Sequence, residues 1–538
     1  MGEQLEYLRM FAALPRALRR FSRHHITLDD AKRIVRDRME RRAEMLLSMA
    51  ERCIYNQPAS PYLPLLRHAG CELADLRALV AERGVEGALR QLRESGVYIT
   101  FEEFKGRKPI ERPGLTLPVT ARDFDNPAVP PVFMVESGGS SGLAINVGIN
   151  LEHIAARGPD ELLALAAHDV LDIPALRWSS ILPVGSLRHI LRATYVGQPP
   201  LRWFSPLGLR DSRYWLRYGV ATYYVVLLSR LNGIPVPWPE YVRLAEAVQI
   251  ALAAREQLAA HGRCLLHTNP SRAMRVVLAA REAGIDLTGL VFFGSEEALT
   301  DAKAAFFAQA GLRFVSNYGS VESGRIGVAC ASPSEAGDVH LLHDVSAVFT
   351  YPCSVPGVDG TVPAFNLTSL LPATPKIMLN VQLDDYGLIE ERHCGCPLES
   401  FGYTTHLRQI RSYSKLTGAG VTLIGTEMVR ILEQALPARF GGTALDYQMV
   451  EEEDEVGFTC LYVYVHPRLP DIDEQQVVQV LLQALSESSP MADATRTVWQ
   501  DAGTIRVRRA EPILTARGKL LPLRTRHTAP TSAKESQQ

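Results

Sequence analysis

Two hydrophobic periods divide this chain. Over the first hundred residues, apolar positions recur three and four apart; from Leu28 to Glu51, Ala, Ile, Met and Leu are interleaved with Arg and Glu. That spacing predicts amphipathic helices. From about Pro131 the pattern shortens to β-rich runs alternating with helical stretches, which predicts an α/β fold. Strands are expected over 132–135, 290–293, 314–316 and 347–351, and a helix over 270–283. The apolar run 220–228 reads as a buried helix. Near Arg411 a smaller α+β unit begins, with strands over 458–465 and 505–507 and a helix over 474–485. The expected organisation is therefore a large N-terminal domain, 1–410, helical to about residue 110. A small C-terminal lid, 411–526, follows a hinge, and 527–538 form a polar, disordered tail.

Bulk properties narrow the function classes. A chain of 538 residues exceeds a single hydrophobic core. Its formal net charge of −2 gives no electrostatic basis for a nucleic-acid or anionic-membrane partner. The basic stretch 16–23 is expected to be one solvated helix face. There is no apolar run of about 18 residues and no apolar core between Met1 and Leu14, so neither a membrane span nor a secretory signal is expected. Eight cysteines are too sparse for a disulfide scaffold, which fits a reduced, cytoplasmic enzyme.

Three segments carry candidate chemistry. Ser137-Gly138-Gly139-Ser140-Ser141-Gly142 lies between two expected strands, where glycine-freed amides and serine hydroxyls can cradle phosphate. Its letters also match the G-x-S-x-G nucleophile elbow, but that motif needs a following helix, and residues 143–150 alternate like a strand. No Lys-Ser/Thr follows to make a Walker loop. The glycines from Gly418 to Gly425 have the wrong spacing for a dinucleotide fingerprint. The second segment, Asn317-Tyr318-Gly319-Ser320-Val321-Glu322, continues from an expected strand. The third is Pro512-Ile513-Leu514-Thr515-Ala516-Arg517-Gly518-Lys519.

In this order and at these distances, the segments resemble the adenylate-forming superfamily of acyl-CoA synthetases and adenylation domains, and most closely the phenylacetate–CoA ligase branch. The resemblance runs from about Ser60 to about Arg524. It implies ATP- and Mg²⁺-dependent joining of a small-molecule acid to AMP, then transfer to a thiol such as coenzyme A. An amine acceptor and a non-catalytic binding protein are the alternatives, and any carrier protein would be a separate chain. By resemblance, the loop 137–142 holds phosphate, and Asn317, Tyr318, Gly319 and Ser320 hold the nucleotide, with Tyr318 on the adenine. Glu322 holds magnesium, Asp384 the ribose and Arg411 the nucleotide, while Lys519 supplies the ammonium for adenylation. The acid pocket is expected near Phe293, Gly294, Ser295 and Ser316, with walls from Tyr214 and Trp215. Cys330, His340, Cys394 and Cys396, with His343 as an alternative, resemble the structural zinc set of some members. The remaining cysteines read as core residues.

Three departures are visible. Leu143 and Ala144 stand where the family has Pro-Lys, Val321 replaces a hydroxyl residue, and Tyr413 or Ser414 falls at the hinge position.

Overall fold

The computed structural model describes residues 2–137, 145–208, 215–354, 361–412, 416–418, 421–423, 426–486, 490–514, 520 and 522–525. The two expected periods become two kinds of layer. Buried Val, Leu, Phe and Trp runs form a six-stranded parallel sheet, in the order Arg313–Ser316, Leu290–Gly294, Cys264–His267, Ala175–Trp178, Arg202–Ser205, Pro239–Tyr241. Three of these strands are buried at nearly every position, as expected of a parallel sheet covered by helices on its faces.

A seven-stranded antiparallel sheet stands beside it, ordered Tyr318–Ser320, Gly324–Ala329, Val339–Leu341, Thr405–Ser412, Val381–Glu391, Thr361–Ser369, Ser346–Ser354. The chain passes from one sheet to the other at Asn317. Ser316 ends a parallel strand and Tyr318 begins the edge strand of the antiparallel sheet. The Asn317 backbone N–H donates to Gly294 O at 2.8 Å, and its side-chain oxygen accepts from Ala329 N at 3.3 Å, so one residue pins both sheets.

The smaller C-terminal domain carries a four-stranded sheet, Ile505–Arg509, Thr459–Val465, Tyr447–Glu453, Leu523–Thr525, and the helices Glu474–Ser486 and Pro490–Ala502. The strand Thr405–Ser412 belongs to the large antiparallel sheet, so this sheet runs through Arg411 before the smaller unit begins.

The N-terminal helices are integral to the large unit. Gly2–Phe21 buries Leu14, Leu18 and Phe21, leaving Arg16, Arg19 and Arg20 outward. Arg38 on Leu28–Glu40 reaches Asp344 at 3.4 Å and Ala156 O at 2.9 Å.

One expectation is corrected. The run 220–228 lies within the helix Trp215–Leu231, which is only half buried: Val225 and Val226 are inside, while Val220, Leu227 and Leu231 are exposed. Apolar composition all round the helix hid which side meets the body. Among the described residues, no helix is long and apolar enough to cross a membrane.

Candidate active site

A cavity of about 1250 Å³ opens where the parallel strands end, where the two sheets meet and where the C-terminal domain approaches. Ligand sites form at such carboxyl ends because loops and side chains converge there from several strands. The cavity wall includes Ser137, Phe293, Gly294, Ser295, the stretch from Ser316 to Glu322, Asp384 and Arg411. Residues expected to share one site thus come together from dispersed segments. Gly138 to Gly142, Leu143, Ala144, Tyr413, Ser414, Thr515 to Lys519 and Tyr214 lie outside the described residues, as does the side chain of Trp215. The described flanks Leu514 and Leu520 pair antiparallel, and Gln448 brackets Ile513 through its side-chain amide.

The loop's strands are present as a hairpin, Phe133–Glu136 with Asn146–Ile149. Ser137 follows it, buried, with its amide bonded to Ile145 O. The edge strand holds its motif by close approach. A side chain on Gly319 would lie 2.4 Å from Gly324 O, and one on Gly294 would lie 1.7 Å from Thr268 O. Only glycine fits either place. Asn317 uses its amide on Gly294 O and Ala329 N, so its role here is to join the sheets.

Glu322 is buried, and its carboxylate accepts from Lys105 Nζ at 2.8 Å. The same ammonium donates to Ser137 Oγ at 3.2 Å. Lys105 was missed in the sequence because it belongs to no phosphate-binding pattern. It caps the C-terminus of a four-residue helix, Phe101–Phe104, whose N-cap Thr100 accepts from Glu103 N while Glu103 returns a bond to Thr100 N at 2.7 Å. Ile99, just before it, is bonded to Asn380 O and to Gln382 N. That docking sets Lys105 and the strand carrying Asp384 in one frame.

Asp384 is buried and faces the cavity; its neighbour Asp385 accepts from the Tyr318 hydroxyl at 2.8 Å. Burial and that carboxylate hold the Tyr318 phenol well above its ordinary range, so it remains a donor. The Tyr318 ring also rests 6.3 Å from Phe365. Val321, lacking a hydroxyl, contributes its carbonyl to Arg188 at 2.9 Å.

Cys330, His340, Cys394 and Cys396 gather at the far part of the antiparallel sheet. His340 Nε2 lies 3.1 Å from Cys396 Sγ and 3.6 Å from Cys394 Sγ. His406 joins them: ligand atoms of Cys330, His340, Cys394 and His406 all lie within 4.8 Å of one another. Strand register opposes His340 to His406, a pairing not visible in sequence. His343 is not part of the group; its Nε2 meets Thr405 Oγ1 at 2.6 Å. Both clustered histidines have Nδ1 engaged, His340 with Tyr403 O at 2.6 Å and His406 with Asp338 Oδ1 at 2.7 Å. Each therefore turns Nε2 inward, and that of His406 is buried with no hydrogen-bond partner. The thiol of Cys330 and the imidazole of His340 drive Cys396 toward thiolate, while Cys330 is raised in return. This donor set, with its outer carboxylate and carbonyl, suits zinc in a closed structural site. Of the other cysteines, Cys53, Cys71, Cys264 and Cys460 are buried; Cys353 is half-buried and accepts from Gln382 Nε2.

No family model and no curated protein matches the chain. Among solved structures, it is similar to a 2-hydroxyisobutyryl-CoA ligase in complex with 2-HIB-AMP and CoA: 14% identity over 91% of this chain and 90% of that one, TM-score 0.49. It is also similar to the amide bond synthetase McbA from Marinactinospora thermotolerans, with 12% identity, 91% and 97% coverage and a TM-score of 0.40. A third is the anthranilate CoA ligase AuaEII in complex with anthranoyl-AMP, with 10% identity, 80% and 74% coverage and a TM-score of 0.31. At such values the matches carry no statement of what this chain acts on.

Proposed function

We propose that the chain is an AMP-forming, acid-activating ligase that transfers the activated acyl group to a thiol such as coenzyme A. The supporting observation is convergence. Ser137, Tyr318, Glu322, Asp384 and Arg411 line one cavity although they come from separate segments, and each has the chemistry that its role requires. In the first step, an acid oxygen attacks the α-phosphorus of ATP and the bond to the β-phosphate oxygen breaks, releasing pyrophosphate. Tyr318 lies against the adenine, Asp384 accepts from the ribose hydroxyls, and Arg411 contacts the nucleotide. Glu322 and Ser137 are hard oxygen donors beside which a lysine ammonium already sits, a setting that fits Mg²⁺ bound jointly with phosphates. Magnesium there supplies neutralisation of the phosphate charge. Lys519 supplies a fixed ammonium where negative charge gathers during displacement.

In the second step, the thiol sulfur attacks the acyl carbonyl and AMP departs. An amine attacking the same carbonyl would give an amide. A cytoplasmic setting suits the reduced cysteines. Cys330, His340 and Cys394, with Cys396 or His406 as the fourth, would provide the donors for one structural Zn²⁺.

ATP–pyrophosphate exchange over a panel of acids tests this reading. Lys519→Ala should slow exchange by about 100-fold or more while leaving melting temperature and ATP binding near wild type. Equal exchange in both proteins would remove Lys519 from the chemistry. Product analysis with coenzyme A, and separately with amines, identifies the acceptor.

A further inference from the structure

The acid end of the cavity carries more positive charge than the protein itself neutralises. Arg177 stands on the strand Ala175–Trp178, Arg188 on the helix Ser186–Tyr195 and Arg272 on the helix Pro270–Glu282, and all three line the cavity. Neighbouring arginines are matched: Arg192 and Arg325 share Glu161 at 3.0 and 2.6 Å, and Arg157 meets Asp160 at 3.1 Å. Arg272 has Glu296 at 4.0 Å. Arg177 and Arg188 have no carboxylate within 4 Å among the described residues. The Arg177 side chain makes no hydrogen bond among them either, although the residue is only 8% exposed and its Nε is fully enclosed. Arg188 donates to Val321 O and, at 3.4 Å, to His189 Nε2.

A buried guanidinium whose carboxylates, Glu161 and Glu296, act only from beyond 4 Å is costly, because they offset little of the hydration it has lost. Arg177 pairs in register with His267 on the adjacent strand. Burial and the surrounding arginines keep His267 and His189 neutral, so neither adds charge of its own; the His189 ring nitrogens face Arg188 and Arg192, and His267 is the imidazole that can offer a hydrogen bond to an anion. The nucleotide phosphates have a different reception: Ser137, Lys105 and Glu322, reached through the loop hairpin. Arg188 borders that end through Val321, whereas Arg177 lies at the end of its parallel strand, beside the expected acid pocket residue Phe293 through their common neighbour His267. The forked guanidinium matches the two oxygens of a carboxylate.

Resting on the proposed acid-activating reading, we infer that the acid carries a second anionic group, a carboxylate or another oxyanion, received by Arg177. One carboxylate is activated; the other end of the molecule remains charged and pairs with the guanidinium.

The test uses the full chain and acids paired by size: pentanedioate with pentanoate, butanedioate with butanoate, and benzene-1,3-dicarboxylate with benzoate. Sulfonate and phosphonate analogues distinguish a carboxylate from a tetrahedral oxyanion. At least one doubly charged acid should support ATP–pyrophosphate exchange with kcat/KM about 100-fold above its singly charged partner. Arg177→Gln should remove most of that preference, leave exchange with the singly charged acid unchanged, and leave ATP binding intact; Arg177→Lys should fall between. Exchange with singly charged acids alone, or an equal loss for both kinds in Arg177→Gln, would overturn the inference while the ligase reading stands. An equal loss of ATP affinity would assign Arg177 to phosphate and overturn it as well. Titration calorimetry of the same acids without ATP separates the two readings. Diacid binding that Arg177→Gln abolishes supports the anion site even where no acid gives exchange, and that second result would sink the ligase reading. If Arg177→Gln does not fold, the wild-type preference and Arg177→Lys decide the matter by the same criteria.

Discussion

Lys105 has two acceptors in different parts of the chain, Glu322 and Ser137, and is almost entirely enclosed. On the proposed reading, it supplies at the phosphate end a positive charge that Leu143 and Ala144 cannot. Lys105→Ala should therefore lower exchange by about 100-fold and lower the Mg²⁺ concentration needed for half-maximal rate, since the ammonium that competes with Mg²⁺ for Glu322 is gone. Lys105→Arg should recover part of the rate. Exchange kinetics across a Mg²⁺ series would check this, and an unchanged rate in Lys105→Ala would contradict it. The contrast with Glu322 explains what sequence could reveal at this scale. Tyr318, Gly319 and Glu322 are legible because they fall within one run of five residues. Lys105, Arg177 and His406 are ordinary residues until a distant segment arrives beside them.

At the scale of elements, legibility followed the length of a pairing. The strands near 290, 314, 458 and 505 and the helices near 270 and 474 were visible as runs of one period, and each is present with ends shifted by a few residues. Register was not visible, and register is what makes the metal cluster. Val339↔Leu407 and His340↔His406 are neighbours only because two strands separated by a long excursion lie side by side. The Cys394-Gly395-Cys396 turn completes the group from beyond the next strand. Protein purified without chelator should carry about one zinc per chain, and chelation should lower its melting temperature, because binding energy here is folding energy. Cys394→Ser should release the metal and cost a similar loss of stability. Elemental analysis finding no metal would rule the site out. The exposed side of the helix Trp215–Leu231 shows the opposite limit: where every side is apolar, the period cannot say which side is covered.

For the whole molecule, buried charge fixes the response to acid. His153 and His267 are enclosed and His189 is half-buried, and desolvation together with nearby arginines lowers all three, His267 to about 3. Below their ordinary value of 6.5, the unfolded chain takes up protons that the folded chain refuses. Stability must then fall as pH falls, by up to about 1.4 kcal/mol per pH unit for each histidine. Glu297 and Glu161 are also held below the ordinary carboxylate range, despite burial, by Lys303 and by Arg192 with Arg325 respectively. Their stabilisation is present above the unfolded value of 4.5 and lost at still lower pH, so the two effects act in sequence. Melting temperature should decline from pH 6.5 to 5, before the carboxylates contribute. A flat profile over that window would contradict the burial of these imidazoles in the folded state.

Lys303 extends this charge pattern across the two domains. Its ammonium is paired with Glu297 in the large domain and donates to Thr459 Oγ1 at 2.9 Å on the C-terminal sheet, with Glu453 at 3.9 Å. Arg275 crosses nearby, over the Phe458 ring and to Ala502 O. Withdrawal of the small domain would hydrate this seam, and rehydration of an ion pair offsets most of the attraction it gives up. The seam can thus close and part at little net cost near room temperature. Because hydration of charge becomes less favourable on heating, the same seam should tighten as the protein warms. A crossing made of ions therefore gives the domain contact a temperature dependence opposite to that of a frayed loop.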